Sequence, residues 1–246
     1  DTLHYKHYTT PSSLKRHSSR SDFLYPHLPE SEAKHIAISV LSKLRRMHRC
    51  GFVHCDVKPE NIMKLTNLNK DMPSLSVQDW RVIDFGLRVR FDVEKGYSLA
   101  SWRGTIGWTP PELVPNNGDN NRIYPQLDVW CMGLVILYMV TGENPFELTI
   151  QECKENKLYN LESGKRYWYY HKLLPFNKKK KWNHHLRFLH KKNKISLNLL
   201  DLLLNHMLVY EPKKRSTIKT VLKHSWFKDV MKVRPLQQQK TVMIAK

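Results

Sequence analysis

The chain has 246 residues, enough for one large domain or two small ones, and its 41% apolar content is sufficient for a packed core. A formal net charge of +19 favours anionic partners, and no charged-then-apolar stretch at the start resembles a signal peptide, which argues against secretion. The longest uncharged apolar run, 129–141, is too short to cross a bilayer and is typical of a buried helix, so no membrane association is expected.

The four cysteines, at positions 50, 55, 131 and 153, form no C-x-x-C pair and show no regular spacing. This pattern favours reduced thiols in an intracellular protein, either cytoplasmic or nuclear. A zinc site is the alternative interpretation.

The N-terminal part of the chain changes character at Glu30. Residues 1–11 are polar and without period, which predicts a linker, and a short helix is expected near 12–19. From Glu30 onward, apolar residues recur at helical spacing and Gly51 is a natural stop, so the sequence predicts a helix over 30–49.

Short extended segments follow this helix. We expect them in "FVH" and in "NIMKL", on either side of a polar loop, and in the strand "WRVIDF" at 80–85. Residues 87–112 have no period and contain several Gly and Pro, which predicts a long loop.

The C-terminal half is expected to be helical. A buried helix at 129–141 is predicted to be capped by Asp128 and ended by Gly142 and Pro145. Further helices are predicted as one or two segments within 147–195, at 196–208 and at 216–227, the last two each opened by a capping serine, and the tail 229–246 is expected to be disordered. The predicted fold class is mainly α with small β-hairpins, arranged as two strand pairs around polar loops.

Four polar residues suggest a specific chemistry. Asp56, Lys58 and Asn61 lie in the loop "HCDVKPEN", and Asp84 ends a strand 28 residues after Asp56. Two carboxylates and an amide are oxygen ligands of the kind that Mg²⁺ takes, a lysine neutralises phosphate charge, and a free carboxylate accepts a hydroxyl proton. The set matches phosphoryl transfer from a nucleotide to an alcohol; a surface turn and a plain strand end are the alternative.

Several motifs together resemble the C-terminal lobe of a eukaryotic protein kinase of the serine/threonine type. They are "HCDVKPEN" for the catalytic loop, "DFG" at 84–86, "GTIGWTPPE" at 104–112 for the loop ending in A-P-E, "DVWCMG" at 128–133 and the arginine of "EPKKRSTI". The resemblance covers about 12–228 and implies a kinase-like C-lobe with ATP and Mg²⁺ as cofactors and a protein as substrate.

The resemblance also implies roles for individual residues. Asp56 would be the catalytic base, Lys58 would steady the phosphate, and Asn61 with Asp84 would hold Mg²⁺. ATP would contact Lys58, Met63 and Asp84, and the substrate loop would use Thr105, Gly107 and Trp108. Asp128 would have a structural role and hold the backbone of the catalytic loop. His54 and Phe85 would belong to an internal apolar stack, and Glu112 and Arg215 would form an ion pair.

The sequence departs from the family pattern in its N-terminal part. None of the nine glycines forms a G-x-G-x-x-G loop, and the first of them is Gly51. Because the chain also begins at Asp1, we expect a C-terminal lobe whose N-terminal lobe is missing, through truncation or, alternatively, by nature. We expect this chain alone to be inactive.

Control by phosphorylation is a second departure. Cys55 replaces the arginine that in the family binds phosphate on the activation loop, and a thiol cannot make that charge-assisted contact. Ser101 lies at the usual position of the phosphorylation site and is a candidate for it; an ordinary loop residue is the alternative. A redox role for Cys55 is disfavoured, because the neighbouring carboxylate raises a thiol pKa.

The segment 164–194 carries 11 Lys or Arg, four His and no acid, interleaved with aromatic residues. We interpret it as a docking or solvated surface for acidic partners, with a nuclear-import signal and single-stranded nucleic-acid binding as alternatives. The leading function is therefore a serine/threonine kinase, and the alternative is a kinase-like scaffold that binds partners through this basic face.

Overall fold

The computed structural model describes residue 24 and residues 26–64, 80–99, 104–113, 122–146 and 181–231. Within these residues the fold is mainly helical, with short antiparallel strand pairs. The expected linker at 1–11, the short helix near 12–19 and the greater part of the basic segment 164–194 lie outside the described residues.

The first long helix, α1 (Glu30–Arg49), confirms the predicted helix at 30–49. Its apolar positions are buried on one face, namely Ala33, Ile36, Ala37, Ile38, Val40, Leu41 and Leu44. Burying each of the larger side chains contributes roughly 1.5–3 kcal/mol, so packing fixes the position of this helix. Gly51 follows with a φ of 79°, which lets the chain turn out of the helix as its position predicted.

The central helix, α2 (Gln126–Thr141), is buried along almost its whole length and packs against α1. It starts three residues before the predicted 129, and Pro125 rather than Asp128 precedes it without a side-chain cap, so the capping prediction is wrong. Pro125 has a helical φ of −55° and ψ of −26°, which starts the helix earlier. Gly142 ends α2 in the left-handed region with a φ of 76°, as predicted.

Three antiparallel strand pairs are present among the described residues, where the sequence predicted two. They are β1 (Phe52–Val53) with β4 (Val89–Arg90), β2 (Ile62–Lys64) with β3 (Trp80–Val82), and β5 (Ser98–Leu99) with β6 (Arg122–Ile123). The prediction of one continuous loop over 87–112 is therefore wrong, since β4 and β5 lie within it and a 3-10 turn at Pro111–Leu113 begins there.

The strand predicted over 80–85 is shorter in the structure and ends at Val82. Asp84 has a φ of 63°, which no strand residue adopts, and this ends the extended backbone. Ile83 still donates its N–H to the Asn61 carbonyl at 2.8 Å, so the pairing of β2 with β3 continues as far as the start of the polar loop.

The C-terminal segment contains more and shorter helices than predicted. They are α3 (Lys181–Lys191), α4 (Leu197–Leu202), a π-helix (Leu203–Met207), α5 (Ile218–Val221), a 3-10 turn (Ser225–Phe227) and α6 (Lys228–Met231).

Of the two predicted serine caps, the one at Ser196 is confirmed, because its side chain accepts the Leu199 N–H. The cap predicted at Ser216 is wrong: Thr217 caps α5, and the Ser216 hydroxyl contacts His206 instead. The expected disorder from 229 is also wrong for 229–231, since α6 contains Asp229, which is bonded to Lys34 at 2.7 Å.

A single hydrophobic cluster joins α1, α2 and the C-terminal helices, and it includes buried residues of the short strands, such as Val53, Ile62 and Ile123. In the part of the chain that the structure describes, no helix combines the length and the hydrophobicity that a membrane crossing requires.

Candidate active site

The loop between β1 and β2 carries the polar residues predicted for catalysis. Asp56 and Asn61 are each 6% exposed, and Lys58 lies half-buried between them. Pro59 opens a 3-10 turn, Pro59–Asn61, which brings Asn61 back over Asp56. The loop therefore gathers its three functional side chains at one point although it forms neither an α-helix nor a strand.

The Asp56 carboxylate is held by three donors. Asn61 Nδ2 donates to Asp56 Oδ2 at 3.0 Å and to the Asp56 carbonyl at 2.8 Å, and Lys58 Nζ lies 3.1 Å from Oδ2. Thr105 Oγ1 donates to Asp56 Oδ1 at 2.6 Å and accepts from Lys58 Nζ at 2.7 Å. A residue 49 positions away thus completes a closed network around one carboxylate.

Asp128 fixes the backbone of this loop. Its Oδ2 accepts the His54 N–H at 2.9 Å, and its Oδ1 accepts the Cys55 N–H at 3.0 Å. These bonds accompany an unusual backbone at Cys55, whose φ of 70° lies in the left-handed region that non-glycine residues rarely adopt. The contact satisfies two buried N–H groups that have no helix or strand partner.

Sequence reasoning missed His48, the partner of Asp128. His48 Nε2 lies 2.7 Å from Asp128 Oδ2 near the end of α1. Burial raises the pKa of Asp128, but the hydrogen bond and the charge of His48 outweigh burial, so the net pKa lies below the ordinary value. The available sequence signal was the spacing of His48, four residues after Leu44 on the apolar face of α1.

His54 is fully buried and linked to both sides of the site. Its Nδ1 accepts the Asp56 N–H at 3.3 Å, so Nε2 carries the proton of the neutral ring and donates to the Ile83 carbonyl at 3.2 Å. Its ring meets Phe85 edge to face at 5.2 Å. Phe85 itself is 45% exposed, so the expectation that both residues are internal is correct for His54 and wrong for Phe85.

Asp84 lies beside Asn61 because their two strands are paired. The Ile83 N–H bonded to the Asn61 carbonyl places Asp84 next in the chain, with an exposed carboxylate. Asp84 Oδ1 accepts the Gly86 N–H at 3.1 Å, which orients it. Asn61 directs its nitrogen to Asp56, which leaves its Oδ1 as the outward atom, so both side chains offer hard oxygen ligands and the donor set fits Mg²⁺.

Met63 lies on β2 opposite Arg81 and is half-buried. The assignment of Met63 to the nucleobase of ATP stays a prediction. Three of the four residues assigned to ATP or metal therefore follow one another along the catalytic loop and β2, and Asp84 joins them from the paired strand.

The substrate loop is packed against α2. Gly107, with a φ of 94°, accepts at its carbonyl from Asn144 Nδ2 at 3.0 Å, and the Trp108 carbonyl accepts from the Cys131 thiol at 3.3 Å. The Trp108 ring meets Tyr138 edge to face at 6.0 Å. Asn144 and Cys131 were not anticipated; burial raises the pKa of the Cys131 thiol, which makes it an inert packing group.

The same loop ends at Glu112, which pairs with Arg215 across 103 residues. Their contacts are 2.7 and 2.9 Å, and Arg215 is 2% exposed. The motif-based pairing is present in the structure.

Cys55 and Ser101 are the two residues expected to affect regulation by phosphorylation, and the structure describes only Cys55. Cys55 is buried, and its Sγ lies 3.7 Å from the Val53 carbonyl, so its thiol points into the lobe. Ser101, the candidate phosphorylation site, lies outside the described residues, so its assignment stays a prediction.

Comparison with known proteins identifies the family. The model of the protein kinase domain matches residues 6–227, and the chain belongs to this family. It is 30% identical over 217 residues to sperm motility kinase 3A of Mus musculus, covering 87% of this chain and 33% of that protein.

Two further relatives are also named as protein kinases. The chain is 28% identical over 200 residues to the calcium/calmodulin-dependent protein kinase cmkB of Emericella nidulans, covering 80% of this chain and 41% of that protein. It is 29% identical over 198 residues to the probable serine/threonine-protein kinase fhkB of Dictyostelium discoideum, covering 80% and 14%. The chain thus spans well under half the length of these relatives.

Proposed function

We propose that this chain forms the catalytic lobe of a serine/threonine protein kinase, which transfers the γ-phosphate of ATP to a protein Ser or Thr hydroxyl. The observation that carries the proposal is the closed network in which Lys58, Asn61 and Thr105 hold the Asp56 carboxylate. A solvent-exposed turn would leave such a carboxylate to water, whereas this one is 6% exposed.

Asp56 is suited to the role of general base. The Thr105 hydroxyl already donates to its Oδ1 at 2.6 Å, which is the same kind of O–H···O bond that a substrate hydroxyl would make. In the transfer, the substrate oxygen bonds to the γ-phosphorus, its proton passes to Asp56, and the bond to the leaving ADP oxygen breaks. Positioning of the hydroxyl is the main contribution of this residue.

Lys58 has two partners in the structure, Thr105 Oγ1 and Asp56 Oδ2, which fix its ammonium beside the proposed base. A cation there stabilises negative charge on the phosphoryl group in transit. The Thr105 contact links this cation to the substrate loop, so substrate position and phosphate position are set together.

Asn61 and Asp84 would hold Mg²⁺ through their oxygens, and Met63 would lie under the adenine. When bound there, Mg²⁺ would supply positive charge that offsets the negative charge developing on the phosphates during transfer. The hydrogen bond from Ile83 to Asn61, 2.8 Å long, fixes the relative position of the two ligand-bearing segments. The contribution of the chain is thus a rigid pair of oxygen donors next to the base.

Activity is proposed for the whole protein, because the chain spans only 33% of its mouse relative. The sequence holds no G-x-G-x-x-G loop to cover the phosphates of ATP. Purified residues 1–246 are therefore expected to show negligible Mg-ATP-dependent phosphorylation.

The test uses the protein extended by the coding sequence upstream of Asp1. Phosphate incorporation into a mixed peptide library, followed by phosphoamino-acid analysis, is expected to give phosphoserine and phosphothreonine. Asp56→Asn removes the base and is expected to lower the rate about 10²- to 10⁴-fold. Asp92→Asn is the matched control, because Asp92 is an exposed acid in a turn outside the site.

Two results would count against the proposal. An extended protein that transfers no phosphate, with its upstream segment unrelated to a nucleotide-binding lobe, would favour the scaffold alternative. Equal rates for the Asp56→Asn and Asp92→Asn variants would remove Asp56 from its proposed role.

A further inference from the structure

Three ligand-type side chains meet in the C-terminal helices, outside the active site. They are Asp201 on α4, His206 on the π-helix and His224 just before the 3-10 turn at Ser225–Phe227. One ligand atom of each lies within 4.8 Å of the others. His224 Nε2 is 2.9 Å from Asp201 Oδ2, and the two imidazole ring centroids are 4.9 Å apart.

The π-helix creates this meeting point. Leu208 donates its N–H to the Leu203 carbonyl at 2.8 Å, an i to i+5 bond, and the wider turn brings Asp201 and His206, five residues apart, to one face. Single π-turns inserted in α-helices are rare and occur frequently at functional sites. In a regular α-helix Asp201 and His206 would not lie on one face, so the π-helix is what brings these two side chains together.

Each of the three side chains is oriented by a second contact on its other polar atom. Asn205 Nδ2 holds Asp201 Oδ1 at 2.6 Å, the Ser216 hydroxyl holds His206 Nδ1 at 2.9 Å, and the Trp226 N–H contacts His224 Nδ1 at 3.2 Å. Outer contacts of this kind orient ligands in protein metal sites, and those of Asp201 and His206 are compatible with a bound metal. The atoms left for a ligand are Asp201 Oδ2 and the Nε2 atoms of both histidines.

We infer that Asp201, His206 and His224 form a site for a first-row divalent transition metal, Zn²⁺ in particular, which is independent of the kinase site. Two imidazoles and one carboxylate suit Zn²⁺, whereas Mg²⁺ and Ca²⁺ take oxygen ligands. Three protein ligands leave one position of a tetrahedral ion for water. The Asp201 side chain is 50% exposed, so an ion can enter from solvent.

The geometry requires only local adjustment. Zinc ligand bonds of roughly 2.0–2.1 Å place tetrahedral ligand atoms about 3.3 Å apart. His224 Nε2 lies 2.9 Å from Asp201 Oδ2 and all three ligand atoms lie within 4.8 Å of one another, so side-chain movements of no more than about 1.5 Å close the site. Asp201 is exposed and His206 half-buried, which leaves both room to move.

Binding at His224 has a specific cost. In the metal-free protein Nδ1 accepts from Trp226, so the ring proton is on Nε2 and is donated to Asp201. The metal takes the Nε2 lone pair, the ring proton moves to Nδ1, and the contact with the Trp226 N–H is lost. Since the Trp226 N–H then loses its side-chain acceptor, zinc binding is weakened by this exchange, and the Trp226 amide reports it.

The experiment is zinc titration of residues 1–246 after treatment with a chelator, by calorimetry and by thermal unfolding. One Zn²⁺ per chain and a rise in unfolding temperature are expected, with no effect of Mg²⁺ at the same concentration. Asp201→Asn, His206→Gln and His224→Asn should each abolish this binding. The His224→Asn change keeps a side-chain acceptor for the Trp226 N–H and so separates metal binding from capping.

The matched control is His184→Gln, an exposed histidine on α3 that should leave binding unchanged. Ser216→Ala removes the outer contact of His206 and should weaken zinc binding about 10- to 100-fold. In the parent protein, the Trp226 amide resonance should shift when zinc is added. Near-UV circular dichroism checks folding; Asp201→Asn changes only an exposed side chain and is expected to stay folded. No binding at about 100 µM zinc, or binding that survives Asp201→Asn and His206→Gln, would overturn the inference.

Discussion

Arg215 donates all five of its N–H groups within one buried cluster, two of them to the Glu112 carboxylate and three to backbone carbonyls. The two carboxylate contacts are 2.7 and 2.9 Å, and the remaining donors reach the carbonyls of Val209, Gln126 and Tyr210 at 2.9, 3.0 and 3.2 Å. The guanidinium also lies 5.1 Å from the Trp130 ring centroid. One side chain thus joins the end of the substrate loop, the start of α2 and the C-terminal helices.

Replacing Arg215 should destabilise the whole lobe. Arg215→Ala leaves Glu112 and three carbonyls without their donor, and breaking a buried pair by removing one partner costs about 3–5 kcal/mol. Arg215→Lys should recover only part of this loss, because an ammonium lacks the planar bidentate fork. Urea unfolding followed by circular dichroism measures both.

The control for that series is Lys214→Ala. Lys214 pairs with Glu211 at 2.9 Å, but both side chains are largely exposed, so the expected loss is within about 1 kcal/mol. Equal losses at positions 214 and 215 would contradict the stabilising role of the buried pair.

The pairing of Arg215 with Glu112 illustrates what the sequence could predict. Residues in short motifs, such as Asp56, Asn61 and Asp84, were located from their spacing and family resemblance, and α1 from its apolar period. The start of α2 was missed because Pro125 begins the helix while Asp128 turns inward to bind backbone N–H groups. Such a tertiary contact overrides a local capping preference.

Other parts of the site depend on contacts that no local pattern encodes. His48 was overlooked since its role exists only through Asp128, 80 residues away. Asn144 was overlooked for the same reason, because it binds the Gly107 carbonyl 37 residues earlier. Strands β4, β5 and β6 were missed, since a strand of two residues leaves almost no alternation in the sequence.

Thr105 should matter through its hydroxyl. In the extended, active protein, Thr105→Val removes both the bond to Asp56 and the bond to Lys58, while Thr105→Ser retains them. We expect the valine variant to lose about 10- to 100-fold in kcat, because the base and the phosphate-binding cation are then no longer fixed. Steady-state kinetics with a peptide substrate measures it, and a serine variant as impaired as the valine variant would contradict the hydroxyl role.

Gly104 should tolerate no side chain. Its φ is 106°, and an added Cβ would lie 2.7 Å from the Cys55 carbonyl oxygen, a backbone atom that is held in place by the loop. Gly104→Ala should therefore combine a conformational cost of roughly 1–2 kcal/mol with a packing cost of about 1–3 kcal/mol.

The comparison for Gly104 is Gly96→Ala. Gly96 has a φ of 75°, but nothing lies within 4 Å of an added Cβ, so only the conformational cost of roughly 1–2 kcal/mol applies. Thermal unfolding of both variants separates the two effects. If the position 96 variant is as unstable as the position 104 variant, close approach to the Cys55 carbonyl is not the cause.

Asp128 should make stability depend on acid pH. Its folded-state pKa is lowered, so its contribution is fully present above the unfolded pKa of about 3.9 and is lost as the pH falls through the lower folded pKa. The Asp128→Asn variant should be less stable than the parent at pH 7, because His48 and the two loop N–H groups lose their charged partner.

The quantity to measure is the gap in the free energy of unfolding between the parent and the Asp128→Asn variant. Urea unfolding at a series of pH values should show a constant difference in the free energy of unfolding near neutral pH and a smaller difference below about pH 4. The difference becomes smaller because protonation of Asp128 removes from the parent the charge that the variant lacks at every pH. Glu94→Gln, at an exposed position in a turn, serves as the control for general acid effects. A gap that stays constant through the acid range would mean that the Asp128 carboxylate is not the group whose charge holds the catalytic loop.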